Sequence, residues 1–197
     1  AYTLAVIIIK PIKKLSEGAV IIGTGNLDYK IEIKSHDELG QLADEFNNMT
    51  ARLKEAQRSL IEKERYEEQL EIARGIQENL LPDRFPSLKE IDISAYYKAA
   101  KGVGGDYYDV VHIKEKNRIN GIIADVSGKG VPAALVMVMI RTIFHSTARF
   151  VNTPNEAISE INSGVVRRLS ADKFATIFAF HYNYKTGEIE FSNAAHS

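Results

Sequence analysis

Cysteine and tryptophan are absent from this chain of 197 residues, and proline occurs only 5 times. The absence of cysteine excludes disulfides and Cys-ligated zinc, and it agrees with a reducing compartment. Neither sign of charge dominates, because 25 Lys and Arg stand against 26 Asp and Glu, for a net charge of -1. This balance does not favour nucleic-acid binding. Hydrophobic residues make up 45% of the chain, which is enough for a real core.

The apolar N-terminus is too short to cross a bilayer, which takes about 20 residues. Ala1–Ile9 is apolar apart from Thr3 and is followed by Lys10, Lys13 and Lys14. An apolar run that ends in lysines is typical of the cytoplasmic end of a membrane helix, whereas no basic start or cleavage site marks a signal peptide. We predict that residues 1–9 end a transmembrane helix, which places the chain at the cytoplasmic face of the cell membrane. The alternative is the start of an ordinary buried helix.

Two helices joined by an extended connector are predicted next. Residues 11–22 have the period of a short amphipathic helix, and Gly23-Thr24-Gly25-Asn26 ends it. Ser35 or Asp37 can cap the second helix, whose apolar residues recur every three or four positions: Leu39, Leu42, Phe46, Met49, Leu53, Ala56 and Leu60. An unbroken heptad seam is typical of a coiled coil. We expect a dimer seam formed by Leu39, Leu42, Phe46, Met49 and Leu53.

The same region resembles a HAMP domain. Pro11, the Gly25-Asn26-Leu27 connector and the segment from Asp37 to Met49 carry the resemblance. It covers residues 10–60 and implies a parallel four-helix coiled coil made by two chains. Such a domain passes signals from a membrane helix to a cytoplasmic output.

Residues 61–82 are predicted to form a coiled-coil linker helix, which Pro82 and Pro86 end. The apolar series resumes at Tyr66, one residue before the position that continues the heptads of Leu60. Two successive three-residue steps make a stammer, a local overwinding of the coil. Two competing packings would make the linker a two-state relay. The alternative is a solvated single helix whose charges carry no message.

Two acidic segments then enclose a predicted hairpin. Gly104-Gly105-Asp106 precedes the first strand, Asp125 ends the second, and the polar loop Lys114–Asn117 joins them. A hairpin returns the chain, so Asp106 and Asp125 can lie side by side. Adjacent carboxylates are unfavourable unless a cation holds them, and oxygen ligands without cysteine suit Mg²⁺ or Mn²⁺.

Further elements are expected around this hairpin. A strand is predicted over Ile91–Ala99, and a helix from Val131 to Phe144 is expected to be buried on nearly all sides. A capping box, Thr153 to Glu156, begins a helix over Pro154–Leu169. A last hairpin joins strands at residues 174–182 and 188–193.

As a set, these motifs resemble the bacterial sporulation and stress-response branch of the metal-dependent serine/threonine phosphatases, the protein phosphatase 2C-like class. The set is Ala73-x-x-Ile76-Gln77-x-x-Leu80-Leu81-Pro82, Gly104-Gly105-Asp106, Asp125 with its glycines, Pro132-Ala133-Ala134-Leu135 and Asn193-Ala194-Ala195-His196. The resemblance covers residues 69–197. It implies an α+β antiparallel β-sandwich flanked by helices, which we assign to residues 83–197.

The resemblance also implies a site. Asp106, Asp125 and the backbone carbonyl of Val126 would hold two Mn²⁺ or Mg²⁺ ions that activate water, so no side-chain nucleophile is needed. The resemblance gives Asp109 no settled role, and we expect it to cap a backbone group or to hydrogen-bond to a ligand residue. Ser127 is expected to be a turn residue. For His196 a general acid and a packed loop histidine stay open. Three further histidines are expected to be structural: His112, His145 and His181.

Two further ligand aspartates of that family lie beyond the Asn-Ala-x-His segment, whereas this sequence stops at Ser197. Ala195 also stands where the family usually has glycine. We therefore expect a piece of a longer protein or a degenerate member, with weak metal binding and little activity. The implied function is a HAMP relay that controls a phosphatase acting on a phosphorylated regulatory protein, such as an anti-sigma-factor antagonist. The alternative is a non-catalytic, phosphatase-like module that binds a partner.

Overall fold

The computed structural model describes residues 5–98, 102–168 and 173–197. It divides the chain into two compact units, Ala1–Tyr66 and Glu67–Ser197. In the first unit a π-helical turn, Ala5–Ile9, continues into helix α1, Lys10–Gly23. The described part of the chain contains no helix that is long and apolar enough to span a bilayer. Residues 1–4 of the predicted membrane stub lie outside the described residues.

Helix α1 ends where the sequence predicts. The amides of Thr24 and Gly25 bond to the carbonyls of Val20 and Ile22, and Gly25 has a φ of +102°. A left-handed residue after the last turn is a common helix ending, and glycine adopts it without strain.

Helix α2 runs from Glu38 to Glu78 and has 41 residues. Asp37 caps it, because its Oδ1 accepts from the amides of Leu39 at 3.0 Å and Gly40 at 3.2 Å. Hydrogen bonds, first from Ser35 and then from Gly40, lower the pKa of Asp37. The predicted end at Pro82 is too late. A proline ring clashes with the carbonyl four residues earlier, which here belongs to Glu78, so the regular helix stops there.

A small core holds the first unit together. Ile22, Ile31 and Ala43 are buried, and four further side chains pack against them: Leu15, Leu27, Ile33 and Phe46. The Asn47 amide fastens the connector to α2, since it donates to the Ile31 carbonyl at 3.0 Å and accepts from the Ile31 amide at 2.9 Å.

The predicted dimer seam is only partly used within one chain. Leu42, Met49 and Leu53 are each about half exposed, whereas Phe46 packs against the small core. Apolar side chains left open along a helix are what a coiled-coil partner would cover. Dimerisation itself stays a prediction.

The second unit contains a four-stranded antiparallel sheet in the order β1-β2-β3-β4. The strands are β1, Tyr107–Ile113; β2, Arg118–Val126; β3, Ala175–Asn183; and β4, Glu188–Ala194. A short 3₁₀ turn, Lys114–Lys116, and the left-handed Asn117 close the first hairpin. Both predicted hairpins are confirmed. The second layer of the expected sandwich is not seen among the described residues, whose strands form this single sheet.

Helices α3, Val131–Thr147, and α4, Pro154–Val165, cover one face of the sheet. The core between the layers contains Ile122, Ala124, Ile177, Met137, Ile140, Phe144, Ile161 and Val165. The prediction that α3 is buried on nearly all sides is wrong, since Val131 and Leu135 are 41% and 61% exposed. One sheet covers only one stripe of a helix, whatever the composition of the other stripes.

Helix α4 is shorter than predicted. It ends at Val165, residues 166–168 form a turn, and Leu169 lies outside the described residues. Thr153 caps it by accepting from the Glu156 amide at 3.2 Å. In a regular capping box the Glu156 carboxylate would accept from the amide of Thr153. Here it accepts from the amide of the preceding residue, Asn152.

The predicted strand over Ile91–Ala99 is wrong for residues 91–98, while Ala99 lies outside the described residues. This segment joins no ladder, and a strand needs a partner for its backbone groups. The residues just before this segment lie on the sheet face opposite the helices, as two contacts with strand side chains show. The Phe85 ring lies 6.2 Å from that of Tyr108, and the Tyr182 hydroxyl is 3.5 Å from the Glu90 carbonyl.

Candidate active site

Asp106 and Asp125 meet at one end of the sheet. Tyr107 pairs with Ala124, so the next position along the hairpin sets Asp106 opposite Asp125. Asp125 in turn pairs with Thr176 of β3. Because side chains alternate along strands, these three residues lie on the face opposite the helices. The structure therefore brings together the two carboxylates that the hairpin predicted.

The carboxyl groups of Asp106 and Asp125 are close enough to share a hydrogen bond. Desolvation, followed by this bond and by the charge of Asp125, raises the pKa of Asp106, whereas His196 lowers it. Two carboxylates at hydrogen-bonding distance repel each other when both are ionised. The pair therefore holds a proton more tightly than an isolated aspartate does, and a cation would relieve the same repulsion.

His196 is fixed beside this pair. Its Nδ1 lies 3.0 Å from Thr176 Oγ1, and Asn193 binds both its backbone groups, at 2.8 Å to the amide and 2.9 Å to the carbonyl. Ala195, inside this turn, has a φ of +57°. A left-handed backbone is easiest for glycine, which explains why glycine suits this position and why Ala195 is mildly strained.

An open groove of about 600 Å³ contains Asp106, Asp125 and His196. Its other walls are formed by two strands and by the segment that crosses the outer face of the sheet, through Ser94, Tyr96, Tyr97, Lys98, Tyr108 and Ile123. Lys98 brings a positive charge to a groove whose base is acidic. Burial, followed by the charge of Asp106, raises the pKa of the Tyr97 hydroxyl, which stays neutral.

The loops on either side of the acidic pair pack tightly. A Cβ atom on Gly105 would lie 2.7 Å from the Val126 carbonyl oxygen, so no larger residue fits there without a shift. Ser127 is a turn residue, as predicted. Its amide donates to the Phe174 carbonyl at 2.8 Å and its Oγ accepts from the Phe174 amide at 2.9 Å.

Asp109 does not support the acidic pair. It lies on the helix-facing side of β1, is 4% exposed, and accepts from the Tyr107 hydroxyl at 2.7 Å and the Val110 amide at 2.7 Å. His145 Nε2 is 2.6 Å away. The expected supporting role beside the ligands is wrong, because strand alternation turns Asp109 to the opposite face from Asp106, whereas its bond to the Val110 amide is a local cap. His145 is structural, as expected.

The other two histidines also lie away from the groove. His112 Nε2 contacts the Tyr184 hydroxyl at 3.3 Å. His181 is buried, and desolvation followed by the charge of Arg118 lowers its pKa to about 4. Both are structural, in agreement with the sequence.

Gln77 is a site neighbour that sequence reasoning quoted only as part of a motif. It is 4% exposed, and its amide bonds to both backbone groups of Gly104. The available signal was a polar side chain within the apolar series of Ala73, Ile76 and Leu80. Such a residue needs a partner when it is buried.

The metal ligands assigned from the resemblance are two carboxylates and one carbonyl. Within residues 5–98, 102–168 and 173–197, no group of three or more His, Asp or Glu side chains forms a metal cluster. The paired carboxylates nevertheless fit a hard divalent cation, because their oxygens are the ligands it prefers and their repulsion is what it removes. The roles of Asp106, Asp125 and Val126 as ligands stay predictions.

Comparison with known proteins agrees with this fold. Residues 3–55 match the HAMP domain, and residues 115–197 match the SpoIIE family, Stage II sporulation protein E. The solved SiaA-PP2C domain of Pseudomonas aeruginosa superposes with a TM-score of 0.56 over 66% of this chain and 54% of that one. At 22% identity, this likeness shows a shared fold. The chain therefore has one region that matches the HAMP domain and a second region that matches the SpoIIE family and shares the PP2C-like fold, which confirms the resemblance.

Two relatives refine the assignment. The chain is 37% identical over 128 residues to the phosphoserine phosphatase RsbU of Bacillus subtilis. The aligned stretch covers 65% of this chain and 38% of that protein. It is 33% identical over 136 residues to Protein IcfG of Synechocystis, which is 68% of this chain and 21% of that protein. The chain is thus homologous to RsbU and spans well under half the length of either relative.

Proposed function

We propose that this chain belongs to a membrane-linked signalling protein in which a HAMP relay controls a metal-dependent serine/threonine phosphoprotein phosphatase. The observation that carries the proposal is the pair Asp106 and Asp125, which lie side by side in a groove that also holds His196 and Lys98. Homology to a protein named as a phosphoserine phosphatase supports the same chemistry.

Each residue has a role in this proposal. Asp106, Asp125 and the carbonyl of Val126 would hold Mn²⁺ or Mg²⁺, which activates water and neutralises phosphate oxygens when bound. Lys98 attracts the dianionic phosphate into the groove. His196, whose Nδ1 is engaged by Thr176, would give a proton to the leaving serine or threonine oxygen through its other ring nitrogen.

The proposal includes the expected β-sandwich. The sheet face opposite the helices carries aromatic side chains, with the rings of Phe178 and Phe191 stacked at 5.6 Å and Phe191 63% exposed. An apolar face of this kind is suited to a second sheet packed face to face.

The HAMP part would link this site to a membrane signal. It would form a homodimer through the half-exposed seam of Leu42, Met49 and Leu53 and continue from a transmembrane helix at the cytoplasmic face. The substrate would be a phosphorylated regulatory protein, of the anti-sigma-factor-antagonist type. A partner-binding module without catalysis is the second candidate, and the observation favouring it is that only two carboxylates meet in the described groove.

Mn²⁺ titration calorimetry and phosphopeptide hydrolysis on the 197-residue chain test the proposal. We expect weak Mn²⁺ binding, because two carboxylates are a small ligand set for a cation that takes about six oxygens. Asp106→Asn and Asp125→Asn should each abolish binding and any turnover, whereas the exposed control Asp44→Asn should change neither. Unchanged turnover in both site variants would refute the site. Metal binding without any turnover would favour the partner-binding module.

A further inference from the structure

The end of helix α2 is hydrogen-bonded to the loop that carries Asp106. Gln77 Nε2 donates to the Gly104 carbonyl at 2.6 Å, and Gln77 Oε1 accepts from the Gly104 amide at 3.0 Å. The side-chain amide of Gln77 thus binds both the N–H and the C=O of Gly104, as the backbone of a neighbouring strand would. With Gln77 only 4% exposed, water competes little for these bonds.

Neighbouring contacts hold this end of α2 in place. Arg141 of α3 donates from Nε to the Leu80 carbonyl at 2.6 Å, and Leu81 is buried in the main core. Higher on the helix, Leu70 lies against Gly102, where an added Cβ would be 3.6 Å from its Cδ1. Gly102 and Gly104 therefore pack against helix α2.

The other side of the loop meets the second half of the site. A Cβ on Gly105 would be 2.7 Å from the Val126 carbonyl oxygen and 3.3 Å from the Cβ of Ala133. Gly104 and Gly105 are thus held between Gln77 and Val126, and Asp106 follows directly. Because this loop is packed on both sides, a displacement of the end of α2 is expected to move Asp106 as well.

We propose that Gln77 is a positioning residue, which sets Asp106 against Asp125 and couples the end of α2 to the metal affinity of the site. This inference rests on the proposed function of the acidic pair. Gln77 touches neither substrate nor metal and acts only through the backbone of Gly104. A movement of the end of α2 would then alter cation binding through the backbone of Gly104.

The test compares Gln77→Met, which keeps the volume and removes both bonds, with Gln77→Glu, which keeps an acceptor for the Gly104 amide. Gln69→Met, at an exposed position of the same helix, is the matched control. Supporting residues around metal ligands typically change affinity by about 10- to 100-fold. We expect a Mn²⁺ dissociation constant raised by about that factor in Gln77→Met, by less in Gln77→Glu, and unchanged in Gln69→Met.

A metal-free readout separates this inference from the proposed function. In ¹⁵N spectra of the full chain, Gln77→Met should shift the amides of Gly104, Asp106 and Asp125, and it should speed hydrogen exchange at Gly104. Shifts confined to Gly104, or an unchanged Mn²⁺ affinity alongside them, would overturn the positioning role. If neither the unmodified chain nor Asp106→Asn binds Mn²⁺, the proposed metal site and its coupling to α2 are both refuted. The hydrogen-exchange rate of the Gly104 amide would still show whether Gln77 binds Gly104.

Discussion

Replacing Asp106 by asparagine should stabilise the metal-free protein even as it destroys the proposed site. Desolvation and Asp125 raise the pKa of Asp106, so a second negative charge beside Asp125 is unfavourable in the folded state. Two unit charges about 4 Å apart interact by about 1 kcal/mol in water and about 4 kcal/mol near a protein surface. Both side chains are exposed, so the lower figure applies and we expect a gain of about 1 kcal/mol.

Asp109→Asn is the matched substitution with the opposite expected sign. This carboxylate is buried and accepts from the Tyr107 hydroxyl and the Val110 amide, with His145 Nε2 at 2.6 Å. An asparagine side chain would turn its NH₂ group towards one of these donors. Loss of a hydrogen bond to a buried acceptor should cost roughly 1–3 kcal/mol.

Urea unfolding in EDTA measures both effects through the near-ultraviolet circular dichroism of tyrosines. The sign for Asp106 follows from linkage: its folded pKa lies above the unfolded value, so the repulsion is fully present above the folded pKa and disappears as pH falls through it. The gain in Asp106→Asn should therefore be largest at high pH and disappear as the pH falls through the raised pKa of Asp106. Mn²⁺ should stabilise the unmodified chain and leave Asp106→Asn unchanged. A destabilised Asp106→Asn at pH 7 in EDTA would refute the reasoning.

Leu53→Glu, which charges the half-exposed seam, should give monomers in sedimentation experiments, whereas Ala51→Glu on the opposite side of the helix should not; an unchanged dimer in the former would contradict the HAMP seam. Deletion of three residues near Lys63 should change basal phosphatase activity at unchanged helix content, and identical activity and signal response would count against the stammer relay. His181, with a pKa lowered to about 4, stays neutral in the fold, so the free energy of unfolding should fall by roughly 3 kcal/mol between pH 6.5 and 4. His181→Asn should remove that slope in urea unfolding at several pH values.

The sequence by itself determined the local elements and, through them, the acidic pair. Strand alternation, a polar loop and turn residues specify the first hairpin, and a hairpin necessarily sets Asp106 opposite Asp125. The cap at Asp37 and the end of α1 near Gly25 were equally predictable, because each depends on backbone and side-chain groups within a few residues. The motif spacing that resembles HAMP and PP2C-like domains is also a property of the chain alone.

Only the tertiary structure decided which groups face each other across long separations. Asp109 is three positions from Asp106, yet it is buried against His145 because α3 covers that face of the sheet. Leu135 is as apolar as its buried neighbours but is exposed, since one sheet covers one side of a helix. Gln77 meets Gly104 because the end of α2 lies along the loop, a contact between residues 27 positions apart. Periodicity shows that a side chain has a preferred face, but what covers that face is set by segments distant in the chain.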